Sequence, residues 1–311
     1  MTAPATVALI DEVVAVVRAA LGVDGALVRV DRRPNGFSTK AASEFVTLRF
    51  AGGTRCALLV KQAVDPSGAR RPDPPDREER VYRALGGRTA FPAPRLVGVT
   101  AGADPYLVLE AIAGWDLRYR DLDAWQAAAE ALGRMHAGWL REAPSLGVLG
   151  FLDAWTVERA MTEAELALAA VHDDEVLHAV VARHEPLAAE LTSLPATLVH
   201  GDLAPKNVVV DEDGVASFVD WEWAGVGPGA LDLVDLVDGL DAAATARLVG
   251  AYMASGGDVA MGEETARALD LARLQRTLFR IGRGAEWGIA VDELAGWARL
   301  AATLHEGLTA R

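Results

Sequence analysis

The chain has 311 residues, 51% hydrophobic and 24% charged, which is enough to bury a sizeable core in one or two domains and excludes a disordered protein. Its single cysteine, Cys56, excludes an intrachain disulfide framework or cysteine-based metal centre, and no apolar run reaches the ~18 residues of a membrane span. The net charge of −14 is uneven: residues 1–111 carry 15 Lys and Arg against 12 Asp and Glu, or +3, and residues 112–311 carry 15 against 32, or −17, so that the first part suits phosphates while the second disfavours nucleic acid and attracts cations.

Over residues 6–21, Val7, Ile10, Val13, Val14, Val17 and Leu21 recur at helical spacing, with Gly22 as a stop. Asp11 and Glu12 lie beside this apolar run and no basic leader precedes it, so it reads as an amphipathic helix and not a signal peptide. Leu27–Val30 predicts a short strand and Glu44–Phe50 its return. The loop between them, Arg32–Lys40, has no GxGxxG pattern; its Phe37, Ser38 and Thr39 either present backbone N–H groups to phosphates or belong to an ordinary hairpin loop. Ala51–Thr54 is a turn. Arg55–Gln62 is a strand whose apolar run is interrupted by Lys61, a residue that is costly there unless its charge is paired. After the Pro- and Gly-rich stretch Asp65–Pro75, read as a loop, Asp76–Leu85 predicts a helix closed by Gly86 and Gly87. Strands follow near Arg95–Thr100 and Tyr106–Glu110, and the strand pattern is lost by Gly114.

The rest reads as helical: Leu122–Leu140, helices between Trp155 and Val181, Glu185–Leu194, Leu240–Met253, Glu263–Ile281 and Glu293–Leu308. All eight tryptophans lie in this part, as core or as aromatic faces for cations and sugar rings. One stretch interrupts the helices. In Leu198–Val210, Asp202 stands five residues before Asn207, and three valines then read as a buried strand; Asp211-Glu212-Asp213-Gly214 is a tight turn, and Ser217–Asp220 leads to a second carboxylate. That order brings Asp202, Asn207 and Asp220 to one end of a two-stranded ribbon. Two carboxylates and an amide oxygen suit a hard cation such as Mg²⁺, with one carboxylate left as a base or hydroxyl-orienting group.

His200-Gly201-Asp202-x₄-Asn207 followed by Asp220-Trp221-Glu222 resembles the aminoglycoside phosphotransferase and choline kinase-like family of small-molecule kinases. The likeness is strong at 198–222, good at 55–82 and thin in the last 70 residues. It implies an α+β, two-lobed protein-kinase-like fold. Residues 1–111 would form a small nucleotide-binding lobe with an antiparallel sheet, and residues 112–311 a larger, mostly helical lobe for catalysis and the acceptor. It implies ATP or GTP as co-substrate with Mg²⁺, Asp202 orienting the acceptor hydroxyl, and Asn207 and Asp220 holding the metal. It further implies Lys61 on the nucleotide phosphates, paired with Glu78 (Glu79 as fallback), Phe37, Ser38 and Thr39 covering the nucleotide, and the backbone of Glu110 and Ile112 reading the adenine edge. Asp232 would brace the catalytic loop, and His136, in a core helix, is structural. Protein kinases of the common type carry a Lys two residues after the catalytic Asp; here Ala204 stands there, and Lys206 could supply the cation instead.

The implied reaction moves the γ-phosphoryl group to a hydroxyl of a small cationic or polyhydroxylated molecule, such as an aminoglycoside-type antibiotic. Rival readings are a kinase of a sugar, amino sugar or amino alcohol, and a catalytically silent binding protein on the same fold. A protein kinase is disfavoured because HGD replaces HRD and no DFG or APE motif is present. The expected partners are the nucleotide and the acceptor, with no nucleic acid and no membrane, in a cytoplasmic monomer or homodimer.

Overall fold

Lys61 and the carboxylates around it are positioned by an antiparallel sheet. The computed structural model describes residues 3–36, 43–62, 77–88, 91–102, 105–171, 174–261, 264–284 and 286–310, and the chain divides into two compact units, Met1–Gly114 with Ser217–Glu222 and Trp115–Ala216 with Trp223–Arg311. The first unit holds α1 (Ala3–Leu21), β1 (Leu27–Pro34), β2 (Ser43–Phe50), β3 (Arg55–Gln62), α2 (Arg77–Leu85), β4 (Leu96–Val99) and β5 (Tyr106–Glu110). The strands make one sheet of order β1-β2-β3-β5-β4, every pair antiparallel. Side chains alternate across a strand, so Val46, Leu48 and Phe50 on β2 and Cys56, Leu58 and Val60 on β3 share one face, where Val13, Val14 and Val17 of α1 cover them. Burying that many branched and aromatic side chains at roughly 1.5–3 kcal/mol each is the main support of this unit. Lys61 follows Val60 and therefore belongs to the opposite face.

β1 is longer than the expected Leu27–Val30. Arg32, Arg33 and Pro34, expected in the loop, pair with Val46, Phe45 and Glu44, and Arg32 Nε donates to Glu44 Oε2 at 2.7 Å. A cross-strand ion pair and an edge position, where Pro34 need donate no ladder bond, explain the extension. Phe37, Ser38 and Thr39, like the Asp65–Pro75 loop, lie outside the described residues.

The second unit is mostly helical: α3 (Leu122–Trp139), α4 (Ala143–Leu146), α5 (Val157–Ala170), α6 (Glu175–Val181), α7 (Glu185–Ser193), α8 (Ala230–Leu236), α9 (Ala242–Tyr252), α10 (Asp258–Met261), α11 (Thr265–Gly284) and α12 (Val291–Thr309). α11 is its axis, packed on α5, α8 and α12. Short strands are threaded between the helices: β6 (Gly114–Asp116), β7 (Asp153–Ala154), β8 (Ala196–Val199), β9 (Val208–Asp211), β10 (Ala216–Phe218) and β11 (Gly225–Pro228), of which Gly114 in β6 and Ser217 and Phe218 in β10 belong to the first unit. β11 pairs with β8 antiparallel and with β7 parallel, and runs directly into α8. That register sets the first turn of α8 beneath the residues that follow β8. No helix among the described residues is long and apolar enough to cross a membrane.

Candidate active site

In the first unit, α2 turns Glu78, Val81, Tyr82 and Leu85 inward at helical spacing, and Glu78 meets the free face of β3. Lys61 Nζ donates to Glu78 Oε2 at 2.8 Å and to Asp220 Oδ1. Glu79 instead pairs with Arg83 at 2.6 Å on the outer face of α2, so the helix register brings Glu78, not Glu79, to Lys61. One oxygen from each of Glu78, Asp220 and Glu222 lies within 4.8 Å of the others. Burial works against the Lys61 charge, but Asp220, Glu78 and Glu222 outweigh it and hold its pKa well above the ordinary lysine value. Burial pushes the Glu78 carboxyl up, because one ammonium cannot compensate three carboxylates.

Asp220 has φ 69°, the one non-glycine residue among those described with positive φ. A left-handed aspartate is strained and persists where its flanks are over-determined. They are: Phe218 N–H donates to Pro92 O at 2.6 Å, and the fully buried Trp221 donates from Nε1 to Phe218 O at 2.8 Å and packs its ring 4.5 Å from Phe91. The anchors on either side aim the Asp220 carboxylate at Lys61.

In the second unit, β8 ends in His200-Gly201-Asp202. Asp232, fully buried on α8, accepts from His200 N at 2.6 Å and from Gly201 N at 2.9 Å. Burial opposes its charge, but the bond from His136 and the charges and N–H groups around it outweigh that and hold its pKa below the ordinary carboxylate range. A carboxylate only accepts, so His136 Nε2–H donates to Asp232 at 3.3 Å, and Tyr252, whose proton burial retains, donates to His136 Nδ1 at 2.8 Å. Gly201 has φ 82°, and a Cβ there would collide with the Trp223 carbonyl oxygen, so both conformation and space demand glycine.

Asp202 follows this braced turn. Its N–H donates to His200 Nδ1 at 3.3 Å. Asn207 Nδ2 donates to Asp202 O at 2.8 Å and to Asp202 Oδ2 at 3.1 Å; both partners are acceptors, which fixes the amide orientation and frees its oxygen as a ligand atom. Lys206 Nζ lies 3.6 Å from Asp202 Oδ2. Among the described residues Asp202 Oδ1 has no hydrogen-bond partner. Within the first unit, carboxylates at Asp220 and Glu222 and a buried Glu78 Oε1 without a hydrogen-bond partner among the described residues are oxygen donors that fit a hard cation; within the second, the Asn207 amide oxygen is a donor of the same kind. Glu110 N–H donates to Arg95 O at 2.9 Å, and Ile112 O accepts from Gly114 N at 3.1 Å.

Residues 43–271 match the model of the phosphotransferase enzyme family. The chain belongs to that family. No curated protein matches it in sequence. Among solved structures, the macrolide 2′-phosphotransferase MphH from Brachybacterium faecium, as apoenzyme, superposes with TM-score 0.60 at 18% identity over 96% of this chain and 97% of that one. The choline kinase LicA from Streptococcus pneumoniae gives 0.60 at 13% identity over 96% and 99%. The ternary complex of APH(2″)-IIa with streptomycin and ATP gives 0.58 at 15% identity over 94% and 97%. These likenesses show a two-lobed kinase-like fold, with an antiparallel-sheet lobe and a mainly helical remainder. As a member of the phosphotransferase family, the chain is a small-molecule kinase, a phosphotransferase with an alcohol group as acceptor.

Sequence reasoning gave no role to several residues of this phosphotransferase. Glu222 stands two residues after Asp220 in Asp220-Trp221-Glu222, and that spacing is its sequence signal. Asp235 shares the apolar helix α8 with Asp232. It is 1% exposed and is gripped by Arg276 Nη2 at 2.6 Å and Arg280 Nη2 at 3.1 Å; an acid inside an apolar run was the signal. The Tyr252–His136 relay had none, since its members lie 116 residues apart.

Proposed function

We propose that the enzyme moves the γ-phosphoryl group of ATP or GTP to a hydroxyl of a small cationic or polyhydroxylated molecule, an aminoglycoside-type compound being the leading class. The observation that carries this reading is the clasp on Asp202. Asn207 holds one carboxylate oxygen, Asp232 pins the two preceding N–H groups, and Oδ1 remains for the acceptor. A carboxylate so held needs no reorganisation when it orients a hydroxyl and takes its proton, and positioning of this kind supplies most of the rate in phosphoryl transfer. Lys61, set by Glu78, grips the nucleotide phosphates. Asn207 and Asp220 would hold Mg²⁺, with Glu222 beside Asp220; the ion would neutralise phosphate charge. The backbone at Glu110 and Ile112 would take the adenine edge, and Phe37, Ser38 and Thr39 would cover the phosphates.

The acceptor class rests on charge. The −17 carried by residues 112–311 attracts cations and repels anions. The test is nucleotide consumption, with ATP and with GTP, over aminoglycosides, other hydroxylated antibiotics, amino sugars, neutral sugars and amino alcohols. Aminoglycosides should be phosphorylated with the highest kcat/KM. A best acceptor that is anionic would overturn the class, and nucleotide binding without transfer to any hydroxyl would favour a silent binding protein.

A further inference from the structure

Two large aromatic side chains of the second unit are exposed beside the catalytic turn: Trp115 is 61% and Tyr119 59% exposed. Solvent-facing rings of this size call for an occupant more than a scattered exposed leucine does. Their rings stand 6.2 Å apart at 67°, forming an open corner. The backbone beneath them is rigid. Leu117 is fully buried, its carbonyl accepts from Trp125 Nε1 at 2.9 Å, and Asp116 accepts from Arg118 N at 3.1 Å and from the Arg118 guanidinium at 2.9 and 3.0 Å. The turn Leu117–Tyr119 packs against the turn Pro205–Asn207, next to Asp202 and Lys206, and β6, which carries Trp115, lies beside β9.

Elsewhere in the unit, two ring faces are already occupied. Trp223 and Phe279 are taken by the chain's own guanidinium groups, with Arg283 5.3 Å from the Trp223 centroid and Arg276 4.3 Å from that of Phe279. At the corner, Arg118 lies 5.6 Å from Tyr119, whereas among the described residues no cation sits on Trp115.

Resting on the phosphotransferase reading, we infer that Trp115 and Tyr119 are the acceptor's ring platform: they hold the C–H face of a sugar or cyclitol ring while one of its hydroxyls reaches Asp202. A cyclic polyol has an apolar face to lay on Trp115 and an edge to meet Tyr119. A bare ammonium is served less well, because Arg118 already puts a positive charge on the second ring. The platform therefore selects ring-bearing acceptors over open-chain amino alcohols, and amino groups on such a ring remain free to use the acidic field.

The test is steady-state kinetics of the full-length wild type, Trp115→Ala, Trp115→Phe and Tyr119→Leu with kanamycin, glucosamine and ethanolamine as acceptors. Both positions are exposed, so the variants should fold. Trp115→Ala should raise KM for the ring acceptor about tenfold, with kcat and nucleotide KM unchanged, and Phe should restore most of it. Turnover with an unchanged ring-acceptor KM overturns the platform alone. So does a rise confined to nucleotide KM, which would make it a base platform, or ethanolamine as the best acceptor, or a change of oligomeric state without a change in KM, which would make it a contact between copies. No turnover with any of the three acceptors sinks instead the proposed acceptor class on which the platform stands.

Discussion

Replacing Asp232 by Asn keeps the shape of the side chain and removes the brace. The carboxylate accepts from two backbone N–H groups, at 2.6 and 2.9 Å, in a site with no exposure. Asn offers one oxygen, so one of these bonds becomes neutral, and the other N–H faces an amide nitrogen and is left buried without an acceptor. Weakening a charged hydrogen bond and orphaning a buried donor each cost about 1–3 kcal/mol, for a loss of about 3 kcal/mol in all. For a unit of this size that lowers Tm by about 6–12 °C. Because the loosened turn carries Asp202, the phosphoryl-transfer rate should also fall, by about 10²-fold for a displacement near 1 Å. The sign with pH is fixed by the direction of the shift. Asp232 has a lowered folded-state pKa, so its stabilisation is present above the unfolded value near ~3.9 and is lost as pH falls through the folded value. The assay is thermal unfolding of wild type and Asp232→Asn over an acid series, with turnover near neutrality. The gap in Tm should be full at neutral pH and close in acid. A Tm within about 2 °C of wild type at pH 7, with normal turnover, would refute the brace.

Lys61→Met should raise nucleotide KM and leave acceptor binding unchanged, with Glu78→Gln milder in the same direction and Glu79→Gln silent; damage from Glu79→Gln alone would mean that the Lys61–Glu78 pair has no part in nucleotide use. Lys61→Met also leaves Glu78, Asp220 and Glu222 without their cation. Since the Glu78 pKa is raised, the variant's Tm deficit should grow as pH rises through that pKa, and a deficit independent of pH would contradict this. For a cationic acceptor, KM at saturating nucleotide should rise with salt as the Debye length shortens from ~10 Å at 0.1 M to ~3 Å at 1 M; a flat series would remove the charge argument.

Much of the first unit was legible because its signals are local. The alternating apolar positions of β2 and β3, the out-of-place Lys61 and the turn at Ala51–Thr54 each sit within a few residues. The register choosing Glu78 over Glu79 rests on the i, i+4 relation to Tyr82. The short strands β6, β7, β8 and β11, of two to four residues, are too brief to show a period, and only their pairing defines them. The extension of β1 through Arg32–Pro34 depends on Glu44 across the ladder. At the site, the residue types and spacings of Asp202, Asn207 and Asp220 stood in the sequence, but the means of holding them did not. The φ of Asp220 is imposed by Phe91, Pro92 and Trp221, and the charge on Asp232 is sustained through His136 by Tyr252 from another helix.

The most direct measurement of the central claim is transfer of labelled γ-phosphate to the best acceptor of the screen by wild type and by Asp202→Asn, with Tm and nucleotide affinity measured on both. In the proposed role, Asp202 Oδ1 orients the acceptor hydroxyl and takes its proton, and the variant should then match wild type in Tm and nucleotide affinity and transfer phosphate ~10²–10⁴-fold more slowly. An Asp202→Asn enzyme that keeps more than about a tenth of the wild-type rate would contradict the role assigned to Asp202.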